Sequence, residues 1–360
     1  MRPGSIPSPT RPITHGPAES TMTVNPSYAT PPRPAPSLPF YEPVLDDFAA
    51  VNALIPRLLT SDVHLVEQIG QHLVEAGGKR LRPLVVLLVA NACEAPGDAR
   101  VKLAAVIEFL HTATLLHDDV VDSSGLRRGK LTANALWGNA PSVLVGDFVY
   151  SRAFQLMVEL GQLDILSVLA EATNVIAEGE VMQLANIGRI DLSESDYRTI
   201  IGAKTAMLFE AAAHSAALLS PVADPARPER VSALKAYGRA LGLAFQLVDD
   251  SLDYAGDAAS LGKNAGDDLA EGKLTLPLIV ALRDGDPATR TLLQEALRRK
   301  DASALGEVRH ALARCDALGY TQRAAENEVA IAKAALKTLP ESPFRAALAT
   351  LADFALTRSY

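Results

Sequence analysis

From residue 46 onward, apolar positions recur three and four apart with few interruptions, the spacing of helices that bury one face. The pattern predicts helices over 46–70, 80–93, 101–122, 141–160 and 163–186. Ser193, with Asp196 three residues later, reads as a capping box and opens a helix running to about residue 219. A long helix is expected over 227–254, followed by a glycine-rich loop through Gly272. Shorter helices follow over 274–283, 287–299, 302–315, 321–336 and 343–357. Alternating β-branched stretches, the mark of strands, are scarce. The expected fold is therefore all-α, a single helical bundle over residues 45–360, with no linker and no internal repeat to divide it.

Residues 1–44 break this pattern. They are rich in Pro, Ser and Thr, as in Pro31-Pro32-Arg33-Pro34, and hold too little apolar surface to offset the entropy of ordering. A disordered tail is expected. It is poor in acidic residues, as transit peptides are, but its prolines oppose an amphipathic helix and it has no apolar signal core. Met22 is an alternative start.

Composition narrows the function. Hydrophobic residues make up 48% of the chain, and Cys93 and Cys315 are its only cysteines, far apart and without metal-ligand spacing. That usage points to a reducing compartment, the cytoplasm. A net charge of −8, from 34 basic and 42 acidic residues, argues against a nucleic-acid partner. No apolar run approaches the roughly 18–20 residues that span a bilayer.

The chemistry lies in a motif that occurs twice. Asp118-Asp119-Val120-Val121-Asp122 and Asp249-Asp250-Ser251-Leu252-Asp253 are both DDxxD. On a helix the outer aspartates share a face about 6 Å apart along the axis. Each motif follows an apolar stretch, so its carboxylates crowd the C-terminal end of a buried helix, where the helix dipole disfavours anions. An unfavourable arrangement made twice calls for a hard divalent cation, and Mg²⁺ commonly bridges such carboxylates to substrate phosphates.

Basic residues complete the picture. Gly77-Gly78-Lys79-Arg80-Leu81-Arg82-Pro83 puts flexible backbone and three cations before a helix, with Lys79 and Arg82 expected on one face of its first turn, as a diphosphate clamp. Arg127-Arg128-Gly129 follows the first aspartate motif. Lys204-Thr205 interrupts an apolar neighbourhood, and Lys263 and Lys273 lie among glycines after the second motif, a composition suited to a mobile lid. His111, two turns before Asp118, carries little weight on spacing alone.

Taken together, GGKRLRP, HDDVVD followed by RRG, KT, FQLVDDSLDY and GKNAGDDLAEGK resemble the trans-isoprenyl diphosphate synthases, in family order and over nearly all of the chain from residue 45. NAPSVLVGD and NVIAEGEVMQL are similar to the bacterial octaprenyl type. The resemblance implies a homodimer of all-α subunits, each with a central cavity. It implies sequential condensation of isopentenyl diphosphate onto an allylic diphosphate, farnesyl for preference, for quinone side chains. Three Mg²⁺ are implied per site, bound by Asp118, Asp122 and Asp249, with Asp119, Asp250 and Asp253 assisting. Arg127, Lys204, Lys263 and Lys273 would contact the allylic diphosphate, supported by Thr205 and Gln246. Lys79, Arg82, His111 and Arg128 would hold isopentenyl diphosphate. The long product implies at most transient contact with a membrane surface.

Short-chain members of that family often place aromatics just below the first motif as a floor to the cavity. Here Ala113 and Thr114 stand there, so the growing chain is expected to pass deeper, with Met157 and Leu169 as the floor. A terpene cyclase would lack the second aspartate motif and the Lys79–Arg82 clamp. A non-catalytic partner subunit would lack one aspartate motif.

Overall fold

The computed structural model describes residues 38–127, 129–255 and 266–357. A 3₁₀ turn, Pro39–Val44, leads into α1 (Leu45–Leu58), α2 (His64–Ala76), α3 (Leu81–Ala92) and α4 (Ala99–Val121). Two-residue strands β1 (Leu126–Arg127) and β2 (Lys130–Leu131) form a small antiparallel hairpin, pairing Leu126 with Leu131 and Arg127 with Lys130. Then come α5 (Ala133–Trp137), α6 (Asn139–Leu160), α7 (Leu163–Ala185) and α8 (Glu194–Ile201). A π-helical turn, Gly202–Ala206, joins α8 to α9 (Met207–Leu218), and α10 (Arg227–Ala255) follows. The chain closes with α11 (Asp267–Glu271), α12 (Leu276–Asp284), α13 (Pro287–Arg299), α14 (Leu305–Arg314), α15 (Ala317–Ala335) and α16 (Pro343–Thr357). The all-α expectation holds.

The ends of these helices follow local chemistry. Ser193 caps α8 as expected: its hydroxyl accepts from the Asp196 N–H at 3.1 Å while the Asp196 carboxylate reaches back to the Ser193 N–H. Asp286 caps α13 through the Thr289 N–H at 2.7 Å. Three expectations fail. The glycine-rich loop expected through Gly272 holds a short helix, α11. The helix over 46–70 is really α1 and α2, divided at 59–63. The packed body also begins earlier than residue 45, because Phe40, Tyr41 and Val44 of the 3₁₀ turn are buried. The remainder of the expected tail, with Met22, lies outside the described residues.

Two apolar clusters form the interior. One joins α1, α3, α4, α6, α7, α9 and the first half of α10 with α15 and α16. The other joins α8, the second half of α10 and α11–α15. Helix α4 lies along α6, and α10 along α9 and α15. The first aspartate motif therefore ends a helix of one cluster, while the second stands where α10 has passed into the other.

Glycine permits the closest approaches. A Cβ on Gly238 would lie 2.4 Å from the Phe209 carbonyl oxygen, and one on Gly242 would lie 2.5 Å from Ala206 Cα. No other residue allows α10 so near α9 and the π turn.

Candidate active site

Asp118 and Asp119 occupy the last turn of α4, and Asp122 is its C-cap. Asp118 sits among Lys204, Glu180, Asp122 and Arg127. Burial is the main influence on its carboxyl, which is pushed up to about 7; Lys204 and Arg127 oppose the shift, while Glu180 and Asp122 add to it. Asp119 is only 4% exposed. Its Oδ1 accepts from Arg127 Nε and Nη2 at 2.8 and 2.6 Å, and its carbonyl accepts from Asn134 Nδ2 at 3.0 Å. The hairpin thus folds back on the motif, and Arg127 faces Asp119.

The second motif lies near the end of α10. Asp249 is half-buried, whereas Asp250 and Asp253 are buried. Asp253 binds the chain that follows the glycine-rich loop: its Oδ2 accepts from the Asp268 N–H and its carbonyl from the Gly266 N–H, both at 3.1 Å. Lys273, just after α11, donates to Asp122 Oδ1 at 3.3 Å and pairs with Glu271. Burial works against the charge of this ammonium, but Glu271 and Asp122 outweigh it and hold its pKa above the ordinary value. One ion pair therefore spans from the segment after the second motif to the first.

Lys204 and Thr205 stand on the π turn, whose extra residue per turn re-aims the side chains. Lys204 Nζ donates to Glu180 Oε2 at 2.6 Å and to Gln183 Oε1 at 2.7 Å, both on α7. A Cβ on Gly179 would lie 2.8 Å from the Lys204 backbone nitrogen, so glycine lets α7 press against the turn. Thr205 Oγ1 donates to Gln246 Oε1 at 2.8 Å, and Gln246 Nε2 to Asp250 Oδ1 at 2.6 Å.

The glycine pair before α3 behaves differently from the sequence reading. Gly77 and Gly78 have positive φ (64° and 155°), and Arg80 is left-handed (φ 48°) as the N-cap. Lys79 therefore precedes the helix and shares no helical face with Arg82. Its ammonium lies 5.1 Å from the Phe354 ring centre, on α16. Arg80 turns toward Asn52 and Glu108, the latter at 3.6 Å, and serves the packed body. Arg82 stacks 4.3 Å over Phe209, with Nη1 3.2 Å from His111 Nε2. His111, weak on spacing, is thus brought beside a basic residue of the expected clamp.

Ala113, Met157 and Leu169 are all buried in the first apolar cluster. The Thr114 hydroxyl donates to the His111 carbonyl at 2.8 Å. Arg128 and Lys263 lie outside the described residues. Sequence reasoning missed Glu180, Gln183 and Tyr197, whose hydroxyl donates to Asp250 Oδ2 at 2.5 Å. The polar pair Glu180 and Gln183, one turn apart on α7, was the available signal; Tyr197 offered none.

Among the described residues, no group of three or more His, Cys, Asp or Glu side chains is placed to hold a metal ion. The donors that face the site are carboxylate oxygens, which suit a hard cation whose shell is completed by water and ligand oxygens. A desolvated Asp118 fits the same ion, because a nearby cation relieves the penalty that raises its pKa.

A family model described as polyprenyl synthetase matches residues 63–315. The octaprenyl diphosphate synthase of Escherichia coli is 51% identical over 313 residues, covering 87% of this chain and 96% of that protein. An all-trans-nonaprenyl-diphosphate synthase (geranyl-diphosphate specific) of Rhodobacter capsulatus is 47% identical over 320 residues, covering 88% and 96%. Among solved structures, a polyprenyl synthase from Caulobacter crescentus, complexed with calcium and isoprenyl diphosphate, superposes with a TM-score of 0.86 at 46% identity, covering 92% of this chain and all of that one.

Proposed function

Because the chain belongs to the polyprenyl synthetase family, we propose that it is a long-chain trans-polyprenyl diphosphate synthase. It is a prenyltransferase that condenses isopentenyl diphosphate repeatedly onto an allylic diphosphate, with a product of about C40–C50, in keeping with the octaprenyl and nonaprenyl names of the two relatives above. The observation that carries this reading is convergence. Lys273 reaches Asp122 from the segment after the second aspartate motif, and Lys204 stands beside Asp118 on the π turn. Acidic walls with cations set into them bind a diphosphate through a divalent metal.

Asp118, Asp122 and Asp249 would hold Mg²⁺, three ions in all when the diphosphate is bound. When bound there, the metal would supply charge neutralisation for the departing diphosphate. Without it, the diphosphate and carboxylates would repel, since unit charges at 4 Å interact by roughly 4 kcal/mol at an effective dielectric of 20. Asp119, with Arg127, supports the first wall, while Asp250 and Asp253 brace the second. Arg127, Lys204, Lys263 and Lys273 anchor the allylic diphosphate, with Thr205 and Gln246 behind them. Lys79, Arg82, His111 and Arg128 hold isopentenyl diphosphate, whose double bond attacks the allylic carbon; the released diphosphate takes the proton. The apolar interior shelters the cation and the growing chain, past Ala113 and Thr114 toward Met157 and Leu169. The quinone side chain is the proposed destination.

A homodimer follows the same reading. Its support here is exposed apolar surface, notably Leu144 on α6 (67% exposed) and Val181 on α7 (66%). Cys93 and Cys315 are free thiols, in keeping with a cytoplasmic site. No described helix is long and apolar enough to cross a membrane, and the long product brings at most transient contact with a membrane surface. The catalytic domain begins with the buried 3₁₀ turn at Pro39–Val44 rather than at residue 45.

The deciding measurement is product analysis with purified protein, Mg²⁺, farnesyl diphosphate and labelled isopentenyl diphosphate. A ladder ending at C40–C50 and abolished by EDTA is expected. No elongation would overturn the reading.

A further inference from the structure

A line of hydrogen bonds leaves the site and ends at a residue outside both aspartate motifs. Thr205 donates to Gln246 Oε1 at 2.8 Å, Gln246 Nε2 donates to Asp250 Oδ1 at 2.6 Å, and Tyr197 donates to Asp250 Oδ2 at 2.5 Å. The line joins α8, the π turn and α10. Its inner end is dry, because Tyr197 and Asp250 are each 3% exposed.

The chemistry of each link fixes the direction of the next. An ionised carboxylate only accepts, so Gln246 must present its NH₂ to Asp250 and its carbonyl to Thr205. The Thr205 hydroxyl then donates inward, which holds its side chain against α10. Burial, and after it the charge of Asp250, keeps the Tyr197 hydroxyl protonated, with its pKa well above the ordinary value. Removing that donor would leave a buried carboxylate short of a partner and free Gln246 to turn.

We propose that Tyr197 is a positioning residue for the diphosphate site: through Asp250 and Gln246 it fixes Thr205, and with it the π turn that carries Lys204, before the anionic ligand arrives. The proposal rests on the diphosphate reading above, and it names a group that acts from outside the aspartate motifs. Glu180 and Gln183 hold Lys204 from the opposite side, on α7. The turn is thus held between two helices.

Calorimetric titration with inorganic diphosphate in the presence of Mg²⁺ tests this without requiring turnover. Tyr197→Phe should weaken binding roughly tenfold, about 1.4 kcal/mol. The KM for farnesyl diphosphate should rise in step while that for isopentenyl diphosphate stays fixed, since Arg82 and His111 lie off the relay. In a Thr205→Val background, Tyr197→Phe should add nothing further. Unchanged affinity, equal rises in both KM values, or additive effects would each overturn the proposal, because a merely structural loss would not single out one substrate. Should Tyr197→Phe not fold, Gln246→Met breaks the relay one link on and carries the same expectation. A wild-type protein that binds Mg²⁺ and diphosphate yet elongates nothing would defeat the functional reading, while the affinities of the variants would still decide the relay.

Discussion

At the scale of single residues, Asp118 is where stability and function pull apart. Its carboxyl, pushed up to about 7 chiefly by burial, holds a proton in the folded protein at pH values where the unfolded chain has lost it. Between about pH 4 and 7 the folded state therefore binds more protons than the unfolded one, and the metal-free protein loses stability as pH rises through that window. Asp118→Asn removes the titration. In EDTA the variant should melt a few degrees above wild type at pH 8, with the gap closing toward pH 5, as differential scanning calorimetry would read. It should also abolish elongation. A variant no more stable than wild type at pH 8 would mean that Lys204 and Arg127 already offset the burial. Ala113 poses a separate question, because it is buried one turn below the motif. Ala113→Phe should cut the product to about C15–C20, a floor roughly one 5.4 Å turn below the carboxylates. Product length unchanged on chromatography would place the floor elsewhere.

Elements show why some features could be read from sequence and others could not. Helix α13 begins and ends where the pattern put it, because Asp286 and Pro287 mark its start and Arg298 and Arg299 its last turn. Helix α10 was equally legible, from a long apolar face. The break between α1 and α2 was not, since the apolar spacing runs on through residues 59–63. The β1–β2 hairpin is too short to show alternation, although it sets Arg127 on Asp119. The π turn was invisible for another reason: Gly179 and Gly242 lie far from it in sequence and only folding brings them against it. That origin is testable. Gly242→Ala would set a Cβ 2.5 Å from Ala206 Cα, backbone that cannot rotate away. A loss of about 1–3 kcal/mol is expected from overpacking, together with weaker diphosphate binding as the turn shifts. Gly306→Ala is the contrasting case: its Cβ would meet nothing within 4 Å in α14, so a gain of about 0.4–1 kcal/mol is expected. Denaturant melts that failed to separate the two would refute the packing argument.

Across the whole molecule, the aspartate motifs belong to different apolar clusters, one ending α4 and the other lying on the second half of α10. The site residues were legible because their chemistry is written in short motifs. Of their supports, Glu180 and Gln183 showed only as a polar pair on α7, and Tyr197 not at all, because it acts on Asp250, 53 positions away. The same division predicts how ligands act. Asp118 and Asp122 end α4 while Asp249 lies on α10, so Mg²⁺ alone is expected to bind weakly to carboxylates held on separate walls. Diphosphate alone meets carboxylates of its own sign. Bound together they would supply each other's missing ligands across the two walls, so strongly cooperative binding is expected. In thermal melts, Mg²⁺ or inorganic diphosphate added singly should therefore move Tm little, while the pair should raise it by several degrees, in proportion to RT ln(1 + [L]/Kd). Asp249→Asn should remove most of the joint shift and leave the small single shifts as they were, because only the bridged state uses both walls. A large stabilisation by Mg²⁺ alone would mean instead that the carboxylates already close on the metal without the diphosphate.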